Sequence, residues 1–488
     1  LRFEEAMRPL FLNMPTIGAA LMLNGCAVGP RYVPPTSVQP ARFQTGASVE
    51  ARAPSARDTD LASWWRSFRD PLLTSLVERG LQQNLDLQQA SARVVQARAA
   101  LRGANAALLP SGQISGQAGE SYQSLQTPIG KIGSAFPQFE RSTETYDLSA
   151  GASWEIDLFG PRDAARDAAR ADWEASQVSA VAARLSVAAQ IADTYVTIRM
   201  LQARLDVARS QFDTQQGLVR LVDLQYRKGV AAELQLRQAE SALAQVRASI
   251  PALQNELDMA MNALDVLIGA QPGSTRTEMV AGAPIPTPPA VSTAGGPAAL
   301  LRRRPDIIAA ERRLAASNAQ IGIAVAEYYP KFSLSGLLGT ATTGVGGSFS
   351  GGATQASGIL GLRWRLFDFG RVDAEIKAAK GRNAEALAAY RVTVLRASQD
   401  VEDAFSTLVQ QEARANALLQ GEGSLSRARG SSLAAYKGGM VSLIEVLDAD
   451  RRLLETRDQS IQAQAAAARG AIASFRALGG GWDAPNSK

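Results

Sequence analysis

Histidine is absent from this chain of 488 residues, and cysteine occurs once, at Cys26. A single thiol closes no intramolecular disulfide, and without imidazole the usual Cys/His nucleophile pairs and Cys/His metal clusters have no members. The commonest acid–base side chain is missing too, and no phosphate-cradling glycine loop with its lysine is found, so the pattern offers no enzyme chemistry. Charge of one sign is also lacking. Against 46 Asp and Glu stand 51 Lys and Arg, a net +5 spread thinly along the chain. No basic block is interleaved with aromatics, so nucleic acid is not implied as a partner. The longest basic run, Arg302-Arg303-Arg304, leads into Pro305-Asp306 and a helical pattern, and reads as a solvated helix entry rather than a binding patch. Nor does any stretch beyond residue 26 approach the roughly 18 uninterrupted apolar residues of a membrane helix. A membrane crossing, if there is one, has to be built another way.

What is present begins around the lone cysteine. Met7-Arg8 supplies a minimal positive start, Leu10 to Leu23 is mostly apolar, and Gly25 precedes Cys26, which is the pattern of a secretory signal. Met7 is the expected initiator, with residues 1–6 upstream of it. Leu23-Asn24-Gly25-Cys26 also resembles a bacterial lipobox, which makes Cys26 an acyl anchor and not a redox or catalytic group; the alternative is an ordinary buried thiol.

The chain is internally duplicated. Leu81 to Gly116 aligns without a gap on Leu301 to Gly336, pairing Asp86 with Asp306, Arg93 with Arg313 and Pro110 with Pro330. A second constant offset, ten residues shorter, pairs Trp154 with Trp364, Phe159-Gly160 with Phe369-Gly370, Tyr195 with Phe405, Tyr226 with Tyr436 and Gly229 with Gly439. The extra ten residues of the first half therefore fall between Gly116 and Trp154, in a tolerant loop. Between the halves, Ala281 to Pro297 is rich in Pro, Gly, Ser and Thr and reads as a linker with no room for a core.

Each half has the same internal order. Alanine-rich helical spacing predicts a moderate helix from Leu72 to about Leu108 and from Ala299 to about Glu327, stopped by Pro110 or Pro330. The period then falls to two. Tyr146, Leu148, Ala150, Ala152, Trp154, Ile156 and Leu158 alternate with polar residues, as do Leu360, Leu362, Trp364 and Leu366, and each run makes a strand with one greasy and one wet face. Gln113 to Tyr122 and Phe332 to Ala341 are the expected partner strands. Asp163 to Tyr226 and Asp373 to Tyr436 then run without proline, each a rod about 95 Å long. Such rods are expected to pack side by side as coiled coils, turning at Gly229 or Gly439 into a helix that runs back.

Four amphipathic strands raise a closure problem, because in hydrocarbon every backbone donor and acceptor needs a partner and four strands cannot close a barrel. A trimer would supply twelve, with apolar faces to lipid, polar faces to the lumen and no open edge. A soluble two-layer domain is the alternative for the same alternation.

At this point the residues carry a resemblance. "CAVGPRYVPP" from Cys26, "WWRSFRDPLL" at Trp64 to Leu73, "LLRRRPDIIAAERRLAASNAQIGIAVAEYYPKFSLSG" at Leu300 to Gly336 and "YKGGMVSLIEVLDADRRLL" at Tyr436 to Leu454 resemble outer-membrane efflux proteins of the TolC family, in particular the NodT-type lipoproteins that serve RND pumps. The resemblance covers the chain after residue 20. It implies an α+β membrane protein: a homotrimer with a twelve-stranded transmembrane β-barrel, four strands per chain, continued by a long α-helical coiled-coil tunnel in the periplasm. In that frame residues 1–25 are a lipoprotein signal peptide and 26–71 an acylated, equatorial N-terminal segment. Residues 72–270 are repeat one, with its β-hairpin at about 111–158 and long helix at about 163–226. Residues 271–298 form an equatorial linker, 299–478 are repeat two with hairpin about 331–367 and long helix about 373–436, and 479–488 are a tail. The implied partners are a periplasmic adaptor, an inner-membrane RND transporter and outer-membrane lipid. No cofactor is implied beyond the N-acyl and S-diacylglycerol lipid on Cys26. The helix-hairpin tips, marked by Tyr226, Gly229, Tyr436 and Gly439, are the expected adaptor contact.

Glu445 and Asp448 stand three apart on the returning helix just past the Tyr436-to-Gly439 turn, so they share a face near the rod end. Spacing alone leaves two readings, an exposed acidic pair on a coiled coil or, in three chains, a ring of six carboxylates that attracts cations. The resemblance favours the ring, because aspartates at the two matching positions gate TolC-like channels; here the first is Glu. Gln235 and Gln238 occupy the matching places of repeat one. The expected function is a passive exit duct for small molecules. A type I protein-secretion exit and a structural lipoprotein spacer are the alternatives.

Overall fold

The computed structural model describes residues 28–36, 40–52, 60–292 and 296–482; Cys26, the expected signal segment and most of the expected tail lie outside the described residues. Among these residues the helices are, in chain order, α1 (Gly46–Arg52), α2 (Pro71–Gln83), α3 (Leu85–Ala106), α4 (Pro128–Gly133), α5 (Pro161–Arg227), α6 (Glu233–Leu267), α7 (Arg276–Met279), α8 (Gly296–Arg303), α9 (Pro305–Ala326), α10 (Arg371–Lys437) and α11 (Leu443–Ala477). The strands are β1 (Ser111–Tyr122), β2 (Ser142–Ile156), β3 (Lys331–Thr342) and β4 (Thr354–Arg363). The duplication is structural: α3 matches α9 and β1 matches β3 at one sequence offset, α5 matches α10 and α6 matches α11 at the other. Members of each pair have equal length, 67 residues for α5 and α10 and 35 for α6 and α11.

Two expectations are corrected. Each moderate helix is in fact two. In repeat one Asn84 leaves the helical region and caps in both directions: its side chain accepts from Leu87 N at 3.0 Å and donates to the Leu267 carbonyl at 2.7 Å. In repeat two the break falls at Arg304, because a residue before proline is driven from helical geometry. Arg304 is the repeat counterpart of Asn84 and donates to the Ala477 carbonyl, the counterpart of Leu267, at 3.2 Å. It also pairs with Asp306 at 2.7 Å and Asp400 at 2.9 Å. The third arginine of the run is therefore buried and doubly paired, not solvated. The linker likewise carries no regular structure from Gly282 to Ser292, yet it is packed down. Arg199 donates to the Ala281 carbonyl and Gln202 to that of Met279, and Met279 and Val291 are buried.

The described residues divide into two compact units. The first holds the residues up to Pro34, Ala97–Trp173 and Arg313–Leu387, and its centre is one antiparallel sheet in the order β1-β2-β3-β4. The register sorts side chains by face. Ile114, Ala150, Leu338 and Ala356 lie in one row, and Trp154, Leu334 and Leu360 in another on the same face. The opposite face carries Ser115–Ser149 and Ser111–Ser153, each pair with hydroxyls 3.0 Å apart, broken by Leu337 and Ile359. The apolar face is bare, with Ile114 80% and Leu360 70% exposed. At the foot of each hairpin a tryptophan is fixed the same way: Trp154 Nε1 donates to the Leu108 carbonyl and Trp364 Nε1 to the Tyr328 carbonyl, both at 2.9 Å. β4 stops at Arg363, short of the expected Trp364 and Leu366, because it is an edge strand with no strand among the described residues on its outer side.

The second unit holds Pro35–Gln96, Glu174–Arg312 and the chain from Ala388 onward. Its core explains the "WWRSFRDPLL" run. Trp64 stacks on Phe475 of α11 with centroids 5.5 Å apart, and Trp65 and Phe68 meet it edge-on. Asp70 caps α2 by accepting from Leu72 N and Leu73 N, ahead of Pro71 at the first helical position. Its other oxygen accepts the Tyr195 hydroxyl at 2.6 Å, and burial, then that bond, pushes the phenol up to about 12. Near α1, Glu402 of α10 accepts from Gln44 N, Thr45 N and Thr45 Oγ1, while Phe43 meets Phe405 edge-on.

Candidate functional site at the helix-hairpin tips

The long helices end in identical caps. Gly229 N bonds the Tyr226 carbonyl and Val230 N that of Gln225; Gly439 N and Met440 N repeat this with Tyr436 and Ala435. These are Schellman closures, in which the residue after the cap must be left-handed, and Gly229 and Gly439 have φ of 72° and 73°. A short loop then starts α6 or α11, so each repeat ends in a helical hairpin.

The tips share a small core of their own, made of Leu218, Val222, Leu236, Ala239, Tyr436, Leu443 and Val446. Of the four expected tip residues, Tyr226, Gly229 and Gly439 are exposed. Tyr436 instead faces inward, 8% exposed, and its hydroxyl donates to Gln225 Oε1 of α5 at 2.7 Å. Burial holds this phenol above its usual range, so it stays a donor. Around the turns stand exposed Val230, Leu234, Met440 and Ile444, an apolar rim that free water does not favour.

Glu445 lies in the first turn of α11 and is exposed; its carboxylate takes the Ser442 hydroxyl, which lowers its pKa. Asp448, one turn on, is half-buried and pairs with Arg451 and Arg452, each at 2.7 Å, and the Arg451 bond is the main cause of its lowered pKa. The two carboxylates do share a helix face, and two guanidiniums accompany them. The local charge is mixed, which the spacing of the acids alone did not reveal. Two residues past Asp448, Asp450 is fully buried between helices, accepting from Arg429 Nε of α10 at 2.8 Å and Gln215 Nε2 of α5 at 3.3 Å. Gln225, Gln215 and Arg429 were not expected from the sequence. The only signal was an aspartate at a position where the helix pattern calls for an apolar residue.

The duplicated chain as a whole matches known proteins. The family model described as outer membrane efflux protein matches twice, over residues 76–270 and 296–480, one copy per repeat. The chain belongs to this outer membrane efflux protein family. Nodulation protein T of Rhizobium leguminosarum bv. trifolii is 32% identical over 469 residues, 94% of this chain and 93% of that protein. The pyoverdine export outer membrane protein OpmQ of Pseudomonas aeruginosa is 29% identical, covering 96% of this chain and 97% of that one. Among solved structures, the outer-membrane channel OprN superposes with a TM-score of 0.83 at 33% identity, over 94% of this chain and all of that chain. This outer membrane efflux protein thus has the fold of a TolC-like channel, and the expected family, fold class and outer-membrane location hold. It is the outer-membrane channel component of an efflux system, a family of ducts and not of enzymes.

Proposed function

We propose that three copies form a homotrimer in which twelve strands close a barrel in the outer membrane and the paired long helices wall a periplasmic tunnel. The duct is passive and uses no chemistry of its own. It carries small molecules that an inner-membrane RND transporter drives, through a periplasmic adaptor that seats on the exposed tip residues Tyr226, Gly229 and Gly439 and the apolar rim beside them. Pyoverdine export by one relative supports a small-molecule cargo. Cys26 carries the acyl lipid and holds the N-terminal segment to the membrane.

One observation carries this reading: a sheet with strands of 10 to 15 residues, one apolar exposed face, and two edges that no strand among the described residues pairs. Spanning strands need about 9–11 residues, and an open edge is not tolerated in hydrocarbon. Closure by further copies satisfies both conditions. Glu445 and Asp448 then gather at the aperture with Arg451 and Arg452, and the gate is a mixed ring whose cation preference is moderated by its own arginines.

The test is native mass spectrometry of the detergent-extracted protein together with conductance in planar bilayers. A trimer mass and a channel that opens further when Glu445→Gln and Asp448→Asn are combined are expected. A monomer, or no conductance even in that variant, would sink the proposal.

A further inference from the structure

The sheet's free edges, β1 and β4, meet in the trimer, and the internal duplication specifies how. We infer that β4 of one copy pairs with β1 of the partner subunit in the register that β2 and β3 already show within the chain, with Leu360 opposite Ala118 of the partner subunit and Leu362 opposite Gly116 of the partner subunit. This rests on the trimeric reading above and adds a residue-level interface to it.

Around a ring of three copies, six repeats follow one another. The junction from repeat one to repeat two is inside the chain, as β2·β3, and is visible: Ala150 faces Leu338 and Ala152 faces Gly336. The junction from repeat two back to repeat one lies between copies. Transferring the first onto the second needs the two hairpins to be equivalent, and they are. Ser111 faces Ser153 in the first hairpin and Lys331 faces Arg363 in the second, which are matching positions at both strand offsets. The Trp154 and Trp364 bonds to the carbonyls of Leu108 and Tyr328 show that the strand feet are built alike.

Two further observations fix the register. Strand side chains alternate, so a slip by one residue would turn the apolar Leu360 row of β4 against the wet face of the neighbouring strand; only even slips survive. A slip of two residues moves the strands about 7 Å along each other, and Phe369 opposes that. Its counterpart Phe159 stacks on Tyr329 inside the chain, centroids 4.7 Å apart. Phe369 itself sits at φ 53° and is fully exposed, with no ring partner in its own copy among the described residues. The position matching Tyr329 is Leu109, which is 66% exposed. In the inferred register Phe369 covers Leu109 of the partner subunit. The segment Trp364 to Leu366, left outside β4 at the free edge, becomes strand opposite residues 112–114 of the partner subunit, as its counterpart in β2 does opposite β3.

The experiment uses double cysteine variants of the full chain in a Cys26→Ser background with a conventional signal peptide, oxidised in the membrane. Leu360→Cys with Ala118→Cys, and Ile359→Cys with Gly119→Cys, are adjacent in-register pairs. One of them occupies a hydrogen-bonded and the other a non-hydrogen-bonded site, and both keep Cα separations that a disulfide spans. The shifted control is Leu360→Cys with Gly116→Cys, and the folding control is Ala150→Cys with Leu338→Cys, whose partners face each other within one chain. At least one in-register pair is expected to give a reductant-sensitive covalent trimer at tenfold or more over the shifted pair. Equal or greater cross-linking of the shifted pair overturns the register, and so does failure of both in-register pairs while the folding control closes. Native mass of the cysteine-free parent separates the two levels: a trimer there with the wrong cross-link rejects this register alone, whereas no trimer rejects the assembly.

Discussion

Tyr436→Phe isolates one atom beside the proposed gate. The ring sits in the tip core and keeps its packing, while the hydroxyl bond to Gln225 Oε1, 2.7 Å long, is lost. That bond ties α10 of repeat two to α5 of repeat one. In the proposed trimer, an aperture lined from α11 widens as the repeat-two hairpin moves against its neighbour. A buried neutral hydrogen bond is worth about 1 kcal/mol net. Three such bonds break together in a symmetric opening, a cost of about 3 kcal/mol, and at about 1.4 kcal/mol per decade their loss shifts the open-to-closed ratio roughly a hundredfold. Single-channel recording in planar bilayers reads this as open probability. Tyr226→Phe is the matched control, because its exposed ring lies in the same turn of the other hairpin. A change below about threefold in Tyr436→Phe, or an equal change in Tyr226→Phe, would refute the assignment of this bond to the closed state.

Other expectations are as direct. Arg451→Ala with Arg452→Ala unmasks Asp448 and raises cation-over-anion selectivity at neutral pH, measured as reversal potential in a salt gradient; because the Arg451 bond is the main cause of the lowered Asp448 pKa, the Asp448 share of that selectivity fades at a higher pH in the variant than in the parent, while Glu445, lowered by the Ser442 hydroxyl, is unchanged. Tyr195, raised to about 12 from an unfolded value near 10, contributes stability that is complete below pH ~10 and is lost as pH rises through 12, about 2–3 kcal/mol in all; the alkaline limb of thermal melting should shift down in Tyr195→Phe far less than in the parent. Trp64→Ala leaves a cavity against Phe475 and is expected to cost about 3–5 kcal/mol, read as a lower midpoint of thermal aggregation in detergent. Cys26→Ser with a conventional signal peptide is expected to retain the trimer on native gels and appreciable efflux, with complete loss of trimer assigning the lipid an essential place in assembly.

How much of this was legible beforehand follows from which interactions are local. The caps at Gly229 and Gly439 need only a left-handed residue after a long helix, so glycine at matched positions announces them. The alternation of Tyr146 through Ile156 against serines gave the strand faces, because side-chain direction in a strand depends on nothing but parity. The break at Asn84 was missed, since what draws Asn84 out of the helix is a carbonyl 183 residues away. The mixed charge around Glu445 and Asp448 was missed for a similar reason: the sequence shows Arg451 and Arg452, but only side-chain conformations show both reaching Asp448.

By itself, then, the sequence determined the duplication, the order of elements in each repeat, the amphipathic strands and the absence, beyond residue 26, of any apolar run long enough to cross hydrocarbon as a helix, because each depends on residues near one another in the chain. The tertiary structure decided that Arg304 is a buried tie, that Tyr436 faces the neighbouring hairpin, that Asp450 is sealed between three helices, and that β1 and β4 are left with free edges. Those features depend on which distant groups meet, and spacing along the chain carries no record of that.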